Sequence, residues 1–419
     1  MVVDRVSPVA QATPAIESES AIVRTAFVAT YPPRRCGIAT FTTDLAEATG
    51  ARTIAALHPA GDTLAYPAAV RHLIRKDDRA DYIKTAHALN ASVDVVSVQH
   101  EYGIWGGADG EYVLDFVAAL RVPAIVTMHT VLRSPTPHQR TVLTRLAGLA
   151  QASVLMSYSA AGLLMRDYAA DPGRIHVIPH GVPDLPLVSA DRVKPALGLG
   201  GRDVILSFGL LGPGKGYELA IEALPAVVEA HPSVLYVILG ATHPDLIARE
   251  GEAYRQSLVA QVERLGLQGH VQFVDKFVDM AELTRWLEAA DVFVTPYPNL
   301  AQIASGTLSY AMGAGRAIVS TPYVYATELL ADGRGVLVPP GSPAAFAAAL
   351  ATLIADPALR ARIGARAFAH SRRMVWSQVG AQYRSLFARV TADASRRRAG
   401  LEVASASVWA QPAEVAAGA

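Results

Sequence analysis

PYPNLAQIASGTLSYAMGAGRAIVSTP, residues 296–322, is the stretch from which the fold can be read. The apolar run Asp291–Thr295 ahead of it has the look of a strand. Pro296 and Pro298 stop that strand, because neither can donate to a ladder. A polar loop follows from Asn299 to Ser305, and Ser305-Gly306-Thr307 opens a short helix that closes at Gly313–Gly315. Ala317–Thr321 is the next strand. A Ser-Gly-Thr turn at a helix start offers free backbone N–H groups, hydroxyls and the positive end of the helix dipole. These features suit an anion such as phosphate. An ordinary helix cap uses the same residues.

Outward from this stretch the same rhythm repeats. Val204–Phe208, Leu235–Leu239, Val271–Val274 and Gly335–Val338 read as strands, with helical patterns over 216–230, 252–265, 280–290, 343–355 and 357–370. In the first half Ala21–Thr30, Thr53–Leu57, Val93–Val98, Ala124–Met128, Ser153–Met156 and Ile175–Ile178 read as strands, and helical stretches follow several of them. Strand and helix in alternation predict parallel sheets with helices on both faces. The expected division is a loose tail over 1–20, a first domain over 21–185 and a Pro/Gly-rich linker over 186–202. A second domain covers 203–370, a helix crossing back to the first covers 371–395, and 396–419 is a disordered tail. Two doubly wound domains facing each other leave a cleft, and ligands of such sheets bind beyond the carboxyl ends of the strands.

The residues that bear chemistry fall just after strands. Arg34, Arg35, Cys36 and Gly37 follow the first; glycine lets a ligand approach the backbone, and two arginines suit a phosphate. Cys36 sits near a helix start and positive charge, but no Cys-His-Asp constellation accompanies it. Gln99, His100, Glu101, Tyr102, Gly103, Ile104 and Trp105 mix polar groups with aromatics, as a sugar ring requires; a polar loop over the core reads the same way. His129 follows Ala124–Met128. His180, after Ile175–Ile178, is read as structural.

Gly209-Leu210-Leu211-Gly212-Pro213-Gly214-Lys215-Gly216 is nearly a P-loop. Gly216 stands where the magnesium-binding Ser/Thr belongs, and no acidic Walker B strand stands out. Lys215 is read as a point charge for phosphate. Gly240, Val274 and Phe277 follow or end strands and are expected along a nucleotide pocket.

Composition narrows the classes. Among 419 residues Lys+Arg and Asp+Glu both number 37, so no global field draws nucleic acid or an anionic membrane. Hydrophobic residues make up 51%, enough for large cores, and the single cysteine excludes an internal disulfide. A cytoplasmic protein is expected. No apolar run reaches the ~18 residues of a membrane span, which leaves only a peripheral membrane contact open. There is no Asp-x-Asp pair and no Cys/His set with zinc spacing, so neither metal nor cofactor is expected.

With these residues assembled, residues 21–391 resemble a retaining glycosyltransferase of the two-domain GT-B architecture, family 4 (glycosyl transferases group 1). The glycine loop at Gly37, the His129 site, the loop ending at Lys215 and the 296–322 stretch fall in family order. The resemblance implies two facing Rossmann-like domains, with a nucleotide diphosphate sugar on the second domain and a carbohydrate or other hydroxyl acceptor on the first. It departs from the family where two glutamates of a Glu-x7-Glu pattern are replaced by Gln302 and Tyr310, and where the family's arginine is Leu210. The expected reaction is metal-independent hexosyl transfer with retained configuration. His129, Lys215 and Gln302 are assigned to catalysis, Gly37, Lys215, Ser305, Gly306 and Thr307 to the diphosphate, and Gly240, Val274, Phe277 and Tyr310 to the nucleotide. Arg35, His100, Glu101, Tyr102 and Trp105 are assigned to sugar or acceptor. A retaining glycoside phosphorylase and a non-catalytic carbohydrate- or nucleotide-binding protein on the same fold stay open beside it.

Overall fold

The computed structural model describes residues 23–409 except Ala60 and Asp62; for Arg398, Gly400 and 401–409 it describes the backbone alone. The tail expected over 1–20 lies outside these residues.

Among the described residues thirteen strands build two sheets. The first contains β1 (Thr25–Ala29), β2 (Thr53–His58), β3 (Val70–Arg75), β4 (Val95–His100), β5 (Ala124–Met128), β6 (Ala152–Leu155) and β7 (Ile175–Val177). The second contains β8 (Asp203–Phe208), β9 (Val234–Leu239), β10 (Val271–Val274), β11 (Val292–Thr295), β12 (Ala317–Ser320) and β13 (Val336–Leu337). Their orders are β3-β2-β1-β4-β5-β6-β7 and β10-β9-β8-β11-β12-β13, and every pairing is parallel. Central strands such as β4 and β9 are buried at every position, because helices cover both faces. The expected α/β architecture of two doubly wound domains is the one observed.

The strand order reverses between β1 and β4 and between β8 and β11. At such switch points neighbouring loops diverge and open a crevice. The loops after β1 and β4 carry Cys36 and Glu101; those after β8 and β11 carry Lys215 and Ser305. The topology thus brings the four motif loops to two facing crevices.

β3 was not expected. Arg71, Leu73 and Arg75 are exposed and alternate with Val70, His72 and Ile74, of which only Ile74 is fully buried. As the outermost strand it needs little apolar surface, so no continuous apolar run announces it.

The lobes are tied by the chain itself. Val182 pairs with Val375 in a parallel bridge. Its N–H donates to Met374 O at 2.8 Å, and Trp376 N–H donates to Val182 O at 3.0 Å. The helix Trp376–Trp409 then lies across the first lobe. An added Cβ at Gly380 would stand 2.4 Å from the Ala48 carbonyl oxygen, so glycine permits the close crossing. Tyr383 hydrogen-bonds Thr127 at 2.9 Å, and Phe387 meets Phe27 edge-on at 6.2 Å. The disordered tail expected over 396–419 is corrected over its described part, where the helix continues to Trp409; 410–419 lie outside the described residues. Its Ala-rich continuation favours helix intrinsically, and a low apolar content hid that. Glu328 of the second lobe accepts from the Tyr158 and Ser159 amides at 3.0 and 2.8 Å. A carboxylate thereby caps a first-lobe helix at its positive end.

Candidate active site

The second-lobe half of the cleft is built around one chain of contacts. The helix Gly306–Gly313 is capped by Ser305, whose Oγ accepts from Leu308 N–H. Ser305 Oγ lies 3.1 Å from Thr307 Oγ1, which lies 2.8 Å from Tyr297 OH. Lys215 Nζ lies 3.4 Å from that hydroxyl and 4.6 Å from the ring centroid. Lys215, Ser305, Gly306 and Thr307 therefore share one site, with Tyr297 joining them. Gly216 makes the approach feasible: its φ is +66°, and an added Cβ would meet the Pro296 carbonyl oxygen at 2.1 Å. No carboxylate pairs with Lys215 among the described residues, so the ammonium remains available to an anion. Tyr297 carried no chemistry in the sequence reading; its position two residues after β11 was the available signal.

Opposite, Gly37 opens the helix Gly37–Thr49, whose N-cap is Cys36. A Cβ built on Gly37 would meet nothing within 4 Å, so the space above this helix end is open. The Cys36 sulfur accepts from Ala39 N–H and lies 3.2 Å from Thr30 Oγ1. Arg35 reaches across the cleft, with its guanidinium carbon 6.0 Å from the Phe277 ring centroid. Two residues assigned to different ligands thus meet at the mouth.

Between the halves stand two histidines. His129 Nε2 lies 2.9 Å from Gln99 Oε1, and its ring packs edge-on to Phe41 at 4.9 Å. Burial, with His180 and His100 nearby, pushes His129 down to about 3 although one edge remains open. His180 Nδ1 donates to the Gly181 carbonyl at 2.7 Å. Its Nε2 therefore faces the second lobe as an acceptor, 3.0 Å from where a Cβ on Gly306 would stand. Burial pushes His180 down to about 4. Both rings are neutral at pH 7 and offer hydrogen bonds rather than charge. His180 belongs to this site; its place after a strand was the signal, outweighed by the neighbouring Pro and Gly.

The remaining assigned residues divide. Gln302 donates its amide to Ala304 O at 2.8 Å and shapes the loop ahead of Ser305. Gly240 lets two loops meet, since a Cβ there would lie 2.0 Å from Gly209 O. The Val274 carbonyl accepts from Gly240 N–H and Lys276 N–H, and Phe277 is 45% exposed beside them. Tyr310 donates its hydroxyl to Asp44 Oδ2 of the other lobe at 2.7 Å.

The sugar-facing set needs two corrections. Trp105 is 1% exposed and donates Nε1–H to Gln99 O at 3.0 Å. Its ring is packed in the core near Tyr82 and Phe116 and leaves no open face for stacking, while the residue lines the cavity beside Tyr102. His100 is fully buried with neither ring nitrogen bonded, and burial pushes it to about 3. Sequence periodicity does not distinguish an aromatic under a loop from one on top of it. Glu101 accepts from Gly103 N–H at 2.6 Å and from Thr130 Oγ1 at 3.4 Å, and Tyr102 donates to Gln139 O at 3.3 Å. Tyr102 borders a cavity of about 330 Å³ lined also by Lys76, Asp77, Gly103, Trp105 and Asp109.

Residues 190–370 match the family glycosyl transferases group 1. The D-inositol 3-phosphate glycosyltransferase of Xylanimonas cellulosilytica is 31% identical over 300 residues, covering 64% of this chain and 67% of the relative. The D-inositol 3-phosphate glycosyltransferase 2 of Catenulispora acidiphila is 27% identical over 379 residues, covering 81% and 84%. Among solved structures, Anabaena HepE in complex with UDP superposes with a TM-score of 0.70 at 18% identity, over 87% of this chain and all of that one. Sucrose-phosphate synthase from Thermosynechococcus elongatus also reaches 0.70, at 17% identity, over 88% of this chain and all of that one. These likenesses at low identity establish the fold.

Proposed function

The chain belongs to the glycosyl transferases group 1 family of GT-B glycosyltransferases, and from that premise we propose that it moves a hexose from a nucleoside diphosphate sugar to an acceptor hydroxyl, with retained configuration and without metal. The observation that carries this reading is the unpaired Lys215 ammonium at the end of the Tyr297–Thr307–Ser305 chain, over a helix N-terminus. As the glycosidic bond breaks, negative charge gathers on the leaving diphosphate. Lys215, the Gly306 and Thr307 amides and the opposing Gly37 helix end would meet that charge. They would take over the neutralising role that a metal plays elsewhere.

His129 and His180, both neutral, orient hydroxyls by hydrogen bonding. The nearby carboxylates are engaged: Asp44 by Tyr310, Glu101 by Gly103 and Thr130. Asp44 lies beneath the helix ends and Glu101 is held against its own loop, so neither is aimed at a donor on the Lys215 site, which favours front-face transfer through an oxocarbenium-like state. The acceptor then occupies the first-lobe cavity beside Tyr102 and Lys76.

The test is calorimetric titration of the protein with UDP, GDP, ADP and inorganic phosphate, each with EDTA and with Mg²⁺. Micromolar binding of one nucleoside diphosphate in EDTA is the expected result. Binding of phosphate alone would replace this reading with a phosphorylase, and binding only with Mg²⁺ would remove metal independence. UDP release from UDP-glucose with D-inositol 3-phosphate, the acceptor in the relatives' name, is the first activity to assay.

A further inference from the structure

The two helices whose N-termini face each other across the cleft are joined below it by a single side-chain bond. Tyr310 of the second lobe donates to Asp44 Oδ2 of the first at 2.7 Å. Asp44 lies seven residues beyond Gly37, and Tyr310 four beyond Gly306. At 1.5 Å per residue the bond sits about 10 Å and 6 Å below the respective helix ends.

Its surroundings are closed by rings from both lobes. Tyr310 is 5% exposed, with His180 at 5.9 Å and Phe208 at 6.3 Å. Phe41, on the Asp44 helix, meets His180 at 5.0 Å and Trp376 at 5.5 Å. Asp44 also borders a cavity of about 380 Å³ lined by Glu47, Ala48, Trp376, Ser377 and Arg384. Arg384, which shares this cavity, donates an N–H to the Ala48 carbonyl, and no cation forms an ion pair with Asp44 among the described residues.

A half-buried carboxylate held by a neutral hydroxyl is a poor way to stabilise a fold. Burial pushes Asp44 up to about 6, with the Glu47 charge adding to the rise, so the folded chain retains the charge at a cost. What the pair does achieve is to join the lobes directly beneath the site.

We propose that Asp44 is a positioning residue for glycosyl transfer: through Tyr310 it sets the spacing of the Gly37 and Gly306 helix ends that close on the donor diphosphate. The inference rests on reading the cleft as the donor site. The test therefore needs a readout besides transfer, and Cys36 supplies one as the only cysteine of the chain. It caps the Asp44 helix and is half-buried, with its sulfur against Thr30 and the Ala39 amide, so its reactivity reports a shift of that helix end.

Asp44→Ala, Tyr310→Phe, the double variant and Asp44→Asn are compared by the rate of Cys36 reaction with Ellman's reagent, by UDP release from UDP-glucose and by Tm. In Asp44→Ala and Tyr310→Phe the thiol is expected to react about fivefold to tenfold faster and UDP release to slow by a similar factor. The double variant should be no worse than either single one. Asp44→Asn, which keeps an acceptor oxygen, should stay close to the parent in both rates, and the Tm of Asp44→Ala at pH 7.5 should not fall. Unchanged thiol rates would overturn the proposal, as would losses that multiply in the double variant or that track a falling Tm. If the parent releases no UDP, UDP-glucose is ruled out as the donor separately, and the thiol rates still decide whether the pair holds the lobes.

Discussion

Lys215 leans on the Tyr297 ring with no acidic partner among the described residues, an arrangement that leaves its charge for a ligand. Lys215→Ala is expected to lower kcat/KM for transfer by roughly a hundredfold or more, measured by initial rates of UDP release. A loss under about threefold would remove Lys215 from the site. Asp44 gives a second expectation at this scale. Its pKa is raised by burial from 3.8 to about 6, so between those values the folded chain binds more protons than the unfolded one. Stability therefore declines as pH rises from about 4 to 6 and stays lower above. The roughly two-unit shift corresponds to at most about 3 kcal/mol. Exposure to the neighbouring cavity screens it to about 1–2 kcal/mol. Asp44→Asn should then melt a few degrees higher than the parent at pH 7.5, with the gap closing towards pH 4. A gap that widens on acidification would contradict this. Lys215 and the Ser305–Thr307 turn were legible as sequence because each is a local pattern at a strand end. Asp44 was not: a carboxylate inside an amphipathic helix looks solvated until another lobe covers it.

The elements that matter most are two short helices and the long one that crosses back. The Gly37 and Gly306 helices are aimed by parallel strands whose order reverses beside them, so their N-termini share the cleft by topology. Gly306 also has a contact role, because an added Cβ would lie 3.0 Å from His180 Nε2. Gly306→Ala is expected to weaken binding of the nucleoside diphosphate by about tenfold through displacement of the helix end, with Tm little changed, as calorimetry and thermal melting would report. For the crossing helix, Gly380→Val places branched carbon where a Cβ already lies 2.4 Å from the Ala48 carbonyl oxygen. A loss of about 1–3 kcal/mol follows from such overpacking, seen as a lower midpoint in urea. An unchanged midpoint would mean that the helices are further apart than described. The start of this helix was readable from Trp376, Tyr383, Leu386 and Phe387 on one side. Its extension to Trp409 was not, because an Ala-rich polar segment resembles a loose tail by composition.

At the scale of the whole molecule the lobes are held by several separate devices: the Val182–Val375 bridge, Glu328 on the Tyr158–Tyr168 helix, the crossing helix and the Tyr310–Asp44 bond. Phe387, 2% exposed, packs against Phe27 and Tyr383. Phe387→Ala is expected to cost about 3–5 kcal/mol and, by loosening the crossing helix, to split thermal unfolding into two transitions by calorimetry. A single cooperative transition would show that the other ties suffice. The two-lobed α/β architecture was determined by the sequence itself, because apolar runs of strand length alternating with amphipathic helices have one economical packing, a parallel sheet covered on both faces. So were the positions of the phosphate-suited turns, which depend on neighbouring residues alone. Only the tertiary structure decided which residues face the cleft. It placed Trp105 and His100 in the core, brought His180 into the site, and turned Tyr310 towards Asp44 across 266 positions of chain. Burial and contacts between lobes depend on distances that no local pattern encodes.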